Sequence, residues 1–154
     1  MNSIDAVVVV DMDEFHLPFA TDPELLLETH KDMLSSCRKP VVVVTTAGFD
    51  AHSDIISAVS SCTVNYNNKM NRDAFSHPRL ASLLHFYRAK NILVTGVYLG
   101  QCIDATISGA YGNGFKAFTT RDLAQEQLHF ESESYVTHNP LYELPLHEIK
   151  RKIK

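Results

Sequence analysis

The feature that most constrains this chain is a set of continuous β-branched runs. Ala6–Met12 contains Val7 to Val10 in succession, and Pro40–Thr46 contains Val41 to Val44. Asn91–Gly96 is a third run, Phe115–Thr119 a weaker fourth, and Thr63–Tyr66 reads as a short strand. A strand with one wet face alternates apolar and polar residues. An unbroken apolar run belongs to a strand covered on both faces, the condition of a central parallel sheet.

Helical patterns separate the runs. Asp22-Pro23-Glu24 supplies an N-cap, a proline at the first helical position and a first-turn acid. Leu26, Leu27, Met33, Leu34 and Cys37 then form an apolar stripe, which Arg38-Lys39-Pro40 closes with cations and a breaker. Ser76-His77-Pro78 opens a second helix carrying Leu80, Leu83, Leu84 and Tyr87 at helical spacing. Asp50–Ser60 reads as a short helix. Gln101–Tyr111 reads as a longer one ended by Gly112-Asn113-Gly114, and Glu143–Ile153 as a last one. Gln125–Asn139 is polar and unpatterned. The alternation predicts a three-layer α/β/α domain with a mostly parallel central sheet of about five or six strands. A chain of 154 residues is expected to be a single domain, 1–154.

The net charge of −4 argues against a phosphate-backbone binder, and the basic cluster Lys150-Arg151-Lys152 with Lys154 is read as a solvated tail. The first apolar run is too short for a secretory core or a membrane span, and Asp11, Asp13 and Glu14 follow it at once, so a cytoplasmic protein without membrane contact is expected. The three cysteines, Cys37, Cys62 and Cys102, lack C-x-x-C spacing, which fits a reducing compartment. Cys37 and Cys62 read as packing residues.

In an open α/β sheet ligands bind outside the carboxyl ends of the strands. Asp11 ends the first strand, Lys69 follows the short Thr63–Tyr66 strand, and Cys102 begins the helix after Asn91–Gly96. Each has a plain structural reading: a turn cap, a solvated amine, a small core hydrophobe. Together they form a carboxylate, an ammonium and a thiol at one sheet edge. A helix N-terminus and a nearby cation lower a thiol's pKa, and a carboxylate beside it serves as general base and then acid.

These residues resemble the isochorismatase-like cysteine hydrolases, which include nicotinamidases. The resemblance runs from Val7 to Ala124. Val7-Val8-Val9-Val10-Asp11-Met12 with Phe15 is similar to the family's first strand. Lys69-Met70-Asn71-Arg72-Asp73-Ala74-Phe75 is similar to its lysine motif. Val94-Thr95-Gly96-Val97-Tyr98-Leu99-Gly100-Gln101-Cys102-Ile103 is similar to its nucleophile motif, followed by Asp122-Leu123-Ala124. The resemblance implies Cys102 as nucleophile, Asp11 as general acid/base and Lys69 as the group orienting Asp11 and stabilising the thiolate. It implies a cis peptide at Val97–Tyr98 and an oxyanion hole from the Tyr98 and Cys102 backbone N–H groups. It also implies a homo-oligomer, a dimer or tetramer.

The chain departs from the family at Asp13, where a Gln is common, and at Gly100, where an Asp is common. Nicotinamidases hold a metal through an Asp-x-His and further histidines. Here Asp50 and His52 have that spacing but no histidine lies between His52 and Lys69, so no metal and no cofactor are expected. Phe15, Phe49, Phe75 and Tyr98 are the candidates for an apolar substrate wall, with plain core as the other reading. The expected function is a cysteine-dependent hydrolase of a small-molecule amide or related C–N bond, acting through a Cys102 thioester. The alternatives are an isochorismatase-type vinyl-ether hydrolase and a shortened, non-catalytic binding module.

Overall fold

The computed structural model describes residues 3–59, 63–128 and 137–154. Cys62 and the stretch 129–136 lie outside the described residues. The valine runs form β1 (Ala6–Val10) and β2 (Val41–Thr46), separated by α1 (Pro23–Ser36). The Asp22 side chain accepts from Leu25 N at 3.2 Å, the cap that starts α1. There follow α2 (Ser53–Ala58), β3 (Thr63–Lys69), α3 (Leu80–Phe86), β4 (Asn91–Val97), α4 (Cys102–Gly112), β5 (Lys116–Phe118), β6 (Ala124–Gln125) and α5 (Leu146–Lys152).

The strands run in the order β3-β2-β1-β4-β5, and each neighbouring pair is parallel. β6 also pairs with β4, at Gly96 and Val97, so the two halves of β4 face different partners. The three-layer parallel architecture is the expected one. Side chains alternate across the sheet. Val7 and Val9 of β1 pack with Leu26, Met33 and Leu34 of α1 and Ile149 of α5. Ala6, Val8 and Val10 pack with Leu80 and Leu84 of α3 and Ile103 and Ile107 of α4. Among the described residues no helix is long and apolar enough to cross a membrane.

Several boundaries move. β3 continues past Tyr66 to Lys69, because a register shift between Val44 and Thr46 of β2 lets Thr46 pair with Lys69. Lys69 therefore ends a strand rather than following one. Ser76-His77-Pro78 does not open α3. Ala74–Ser76 is a separate 3-10 turn capped by the Asp73 side chain, and the helix begins after Pro78, at Leu80. Phe115 leaves the strand for the core, where it is fully buried.

One polar contact crosses the layers. His30 on α1 is fully buried, its Nδ1 2.8 Å from the Leu26 carbonyl oxygen and its Nε2 3.0 Å from Thr95 Oγ1 on β4. Burial pushes its pKa down to about 4, so the ring is neutral.

Gly96 shows how closely β4 approaches β1. Its φ is +115°, and a Cβ there would collide with the Val10 carbonyl oxygen. Gly112, at the end of α4, has open space around it. Gly96→Ala is expected to cost about 1–3 kcal/mol of unfolding free energy, while Gly112→Ala gains about 0.5–1 kcal/mol. Urea denaturation of the two variants checks the contrast.

Candidate active site

Three strand ends converge at the carboxyl edge of the sheet. Asp11 follows β1 at once and has a φ of +54°, in the left-handed region that Asp tolerates better than most residues. Its Oδ2 lies 3.2 Å from Lys69 Nζ at the end of β3, both side chains being 2% exposed. Its Oδ1 accepts from the Thr46 hydroxyl at 3.1 Å. Lys69 Nζ donates to the Asn71 carbonyl oxygen at 2.8 Å and lies 3.6 Å from Cys102 Sγ. The structure thus brings Asp11, Lys69 and Cys102 together, with Thr46 and Asn71 as supports that the sequence reading did not single out as site residues. Thr46, as the last residue of β2, had a strand-end position as its signal.

The Val97–Tyr98 peptide is cis, as the resemblance implies. In the loop that follows, Gln101 N and Ile103 N donate to the Tyr98 carbonyl oxygen, Leu99 N to the Gln125 carbonyl oxygen and Gly100 N to Asp104 Oδ2. Cys102 is the first residue of α4 and its N–H has no intrahelical acceptor. Tyr98 is buried and its hydroxyl donates to the His16 carbonyl oxygen. Burial, then the charges of Asp13 and Asp11, raise its pKa, so the hydroxyl keeps its proton.

The electrostatics correct one expectation. A helix N-terminus and Lys69 were expected to lower the Cys102 pKa, yet the thiol is pushed up to about 12. Burial is the largest cause, the Asp11 carboxylate adds to it, and Lys69 offsets only part. The resting group is a neutral thiol beside an ion pair.

Phe15 and Phe49 stack with ring centroids 4.9 Å apart, and the His16 ring contacts Phe49 at 5.4 Å and Tyr98 at 6.3 Å. Beside them opens a cleft of about 580 Å³, lined by Asp13, Glu14, Phe15, Phe49, Asp50 and Ser53 among others. Phe75 does not join this wall. Its ring is partly buried, stacks on Phe115 at 5.7 Å and packs against the core cluster that holds Leu80, Leu84 and Ile107. This is the plain-packing reading given for it, and the preceding Ala74 is tied to α4 by its N–H donating to Thr106 Oγ1.

Asp50 and His52 do not form a metal cage. Asp50 Oδ1 accepts from Asn67 Nδ2, and His52 Nδ1 accepts from Asp54 N as the cap of α2. Asp11, Asp13 and His16 do come within 4.8 Å of one another. However, Lys69 already supplies the cation at Asp11, and both Asp13 oxygens lie within 3.0 Å of His16 Nδ1. The donor set does not fit a resident metal. Burial lowers the His16 pKa, but the bond to Asp13 and the charges of Asp13 and Asp11 outweigh it, and the net shift is upward.

The Asp11 charge is one cause of the raised thiol pKa, so Asp11→Asn is expected to lower the midpoint of Cys102 alkylation by iodoacetamide. Near pH 8 the rate rises about tenfold for each pH unit the midpoint falls. Intact-mass kinetics across pH read it, and a midpoint that stays or climbs would refute the charge assignment.

No protein-family model matches the sequence, and neither does any curated protein. Solved structures do match. A cysteine hydrolase from Pseudomonas syringae pv. phaseolicola superposes with a TM-score of 0.77 at 12% identity, covering 99% of this chain and 94% of that one. The N-carbamoylsarcosine amidase of Thermoplasma acidophilum gives 0.66 at 16%, covering 79% and 84%. The MAR1 ribonuclease of Caenorhabditis elegans gives 0.70 at 15%, covering 83% and 68%. Isochorismatase-family proteins from several bacteria superpose as well, and the fold is the isochorismatase-like α/β fold.

Proposed function

We propose that the chain is an isochorismatase-like cysteine hydrolase that cleaves a small-molecule amide or related C–N bond through a thioester on Cys102. The observation that carries this reading is the meeting of the buried Asp11 and Lys69, at the ends of β1 and β3, with the partly buried Cys102 at the start of α4, Lys69 Nζ lying 3.2 Å from Asp11 and 3.6 Å from Cys102 Sγ. An ammonium and a carboxylate withdrawn from water beside a thiol cost desolvation free energy, and such clusters concentrate at functional sites. The amidase with the same fold is consistent with the choice of bond.

In this reading the Cys102 proton moves to Asp11 as the sulfur attacks the carbonyl carbon. A thiol with a pKa near 12 reacts by such concerted base assistance rather than as a standing thiolate. Lys69 holds the Asp11 carboxylate in place and offsets the charge growing on sulfur. The oxyanion is received by the Tyr98 and Cys102 N–H groups, an interaction worth about 3–4 kcal/mol per donor. Collapse breaks the C–N bond, and Asp11 returns its proton to the departing amine. Asp11 then deprotonates water, which attacks the thioester, and the carboxylic acid leaves with the thiol restored. The balance is amide plus water to acid plus amine.

Phe15 and Phe49 form the substrate wall in this proposal. Phe15 is 56% exposed and Phe19 51%, their rings 6.2 Å apart. Leu128 N donates to the Phe19 carbonyl oxygen, so the exposed Leu128 shares that rim. An apolar rim beside the cleft suits coverage by a second copy, and the chain is proposed to be a homo-oligomer. Light scattering of the intact protein is expected to give a multiple of the 17.3 kDa chain mass, and a monomer would remove that part.

Cys102→Ala is expected to abolish turnover of a panel of amides while circular dichroism and the unfolding midpoint stay unchanged. Intact mass of the wild-type protein shows an acyl adduct on Cys102. Activity kept in Cys102→Ala but lost in Asp11→Asn would transfer the reading to vinyl-ether hydrolysis. No adduct and no turnover with any amide would favour a binding module.

A further inference from the structure

The loop from Tyr98 to Gln101 carries the chain from β4 to Cys102 and is held from outside. Leu99 N donates to the Gln125 carbonyl oxygen at 2.9 Å, and Gln101 Nε2 to Gln127 Oε1 at 2.9 Å. Gly100 sits between them with a φ of +75°, and its N–H donates to Asp104 Oδ2 at 2.6 Å. Asp104 is the third residue of α4, and its side chain is 3% exposed.

Its other oxygen, Oδ1, lies 2.8 Å from His138 Nδ1, and His138 Nε2 lies 3.1 Å from Glu143 Oε2. Glu143 is in turn held by Arg121 Nε at 3.1 Å and is bridged through its backbone to Thr119, just past β5. Both imidazole nitrogens of His138 thus face carboxylate oxygens. A chain of polar contacts therefore runs from the far edge of the sheet to the residue two before the nucleophile.

Helix capping alone does not account for this contact. In a capping box the third helical residue turns back to the amide of the cap residue. Here the cap residue is Gln101, whose N–H already donates to the Tyr98 carbonyl oxygen, and Asp104 reaches one residue further, into the loop.

We propose that Asp104, clamped by His138, is a positioning residue for Cys102. Its hold on the Gly100 amide fixes the loop that sets the Cys102 thiol and the Tyr98 and Cys102 N–H groups against a reacting carbonyl. The role rests on the hydrolase reading above, and displacement of reacting groups by about 1 Å costs on the order of 100-fold in rate.

The test uses 4-nitrophenyl acetate, an activated acyl donor, with Cys102 acylation followed by nitrophenolate release and intact mass. Asp104→Ala is expected to slow acylation about 100-fold and to speed hydrogen exchange at the Gly100 amide, with β1 and β4 amides still protected. Asp104→Asn keeps an oxygen for Gly100 and is expected to stay within about threefold of wild type, while His138→Gln falls between the two. Acylation by Asp104→Ala within about twofold of wild type, or Asp104→Asn as slow as Asp104→Ala at equal stability, overturns the positioning role and leaves the hydrolase reading standing. If Asp104→Ala does not fold, His138→Gln decides: slowed acylation with a faster-exchanging Gly100 amide supports the role, and unchanged acylation overturns it. A wild-type protein whose Cys102 is never acylated overturns both.

Discussion

β1 has no wet surface. Its faces are covered by two helical layers and its edges by β2 and β4, so a polar side chain can leave it only at an end, Asp5 at the amino end and Asp11 at the carboxyl end. The parallel register makes the neighbouring ends arrive at the same level, with Val10 opposite Val44 and Gly96, and Thr46 opposite Lys69. The site is thus a consequence of register. A one-residue slip of β3 would turn Lys69 to the other face of the sheet and empty the space beside Asp11.

The charges at this edge make sense as one unit. A buried ion pair contributes little to stability, since the desolvation of both partners roughly cancels their attraction. What Asp11 and Lys69 provide is a local field of two opposite charges in which a neutral thiol sits. His16 extends the arrangement outward. Its ring binds Asp13 and touches Phe49, and its carbonyl oxygen receives the Tyr98 hydroxyl, so the aromatic wall is tied to the loop that follows β4.

Much of this was legible before any coordinates. Unbroken valine runs identify buried strands whatever surrounds them, and Asp22-Pro23 or Gly112-Asn113-Gly114 act through local backbone chemistry alone. Asp11, Lys69 and Cys102 were legible because strand ends in such a sheet share one edge. Burial was not. The sign of the Cys102 shift depends on how deeply the thiol is sunk, and the destination of Phe75 on which way the chain turns after Asp73. β6 is two residues long, too short for any periodicity. The Asp104–His138–Glu143 cluster joins residues 34 positions apart, from a helix and a stretch without pattern. Its one local signal was an acid at the third position of α4, which reads as an ordinary helix cap.

The split pairing of β4 has a separate consequence. β5 covers its first half and β6 its second, and the chain detours through Thr120–Leu123 between them. Beyond β5, Thr119 N donates to the Tyr142 carbonyl oxygen and Leu144 N to the Thr119 carbonyl oxygen. This side of the sheet therefore offers a stranger no long flat ladder of free N–H and C=O groups. Exposed ladders of that kind template fibrils and strand exchange. The valine strands β1 and β2 lie inside the sheet, between β3 and β4, so neither forms this border.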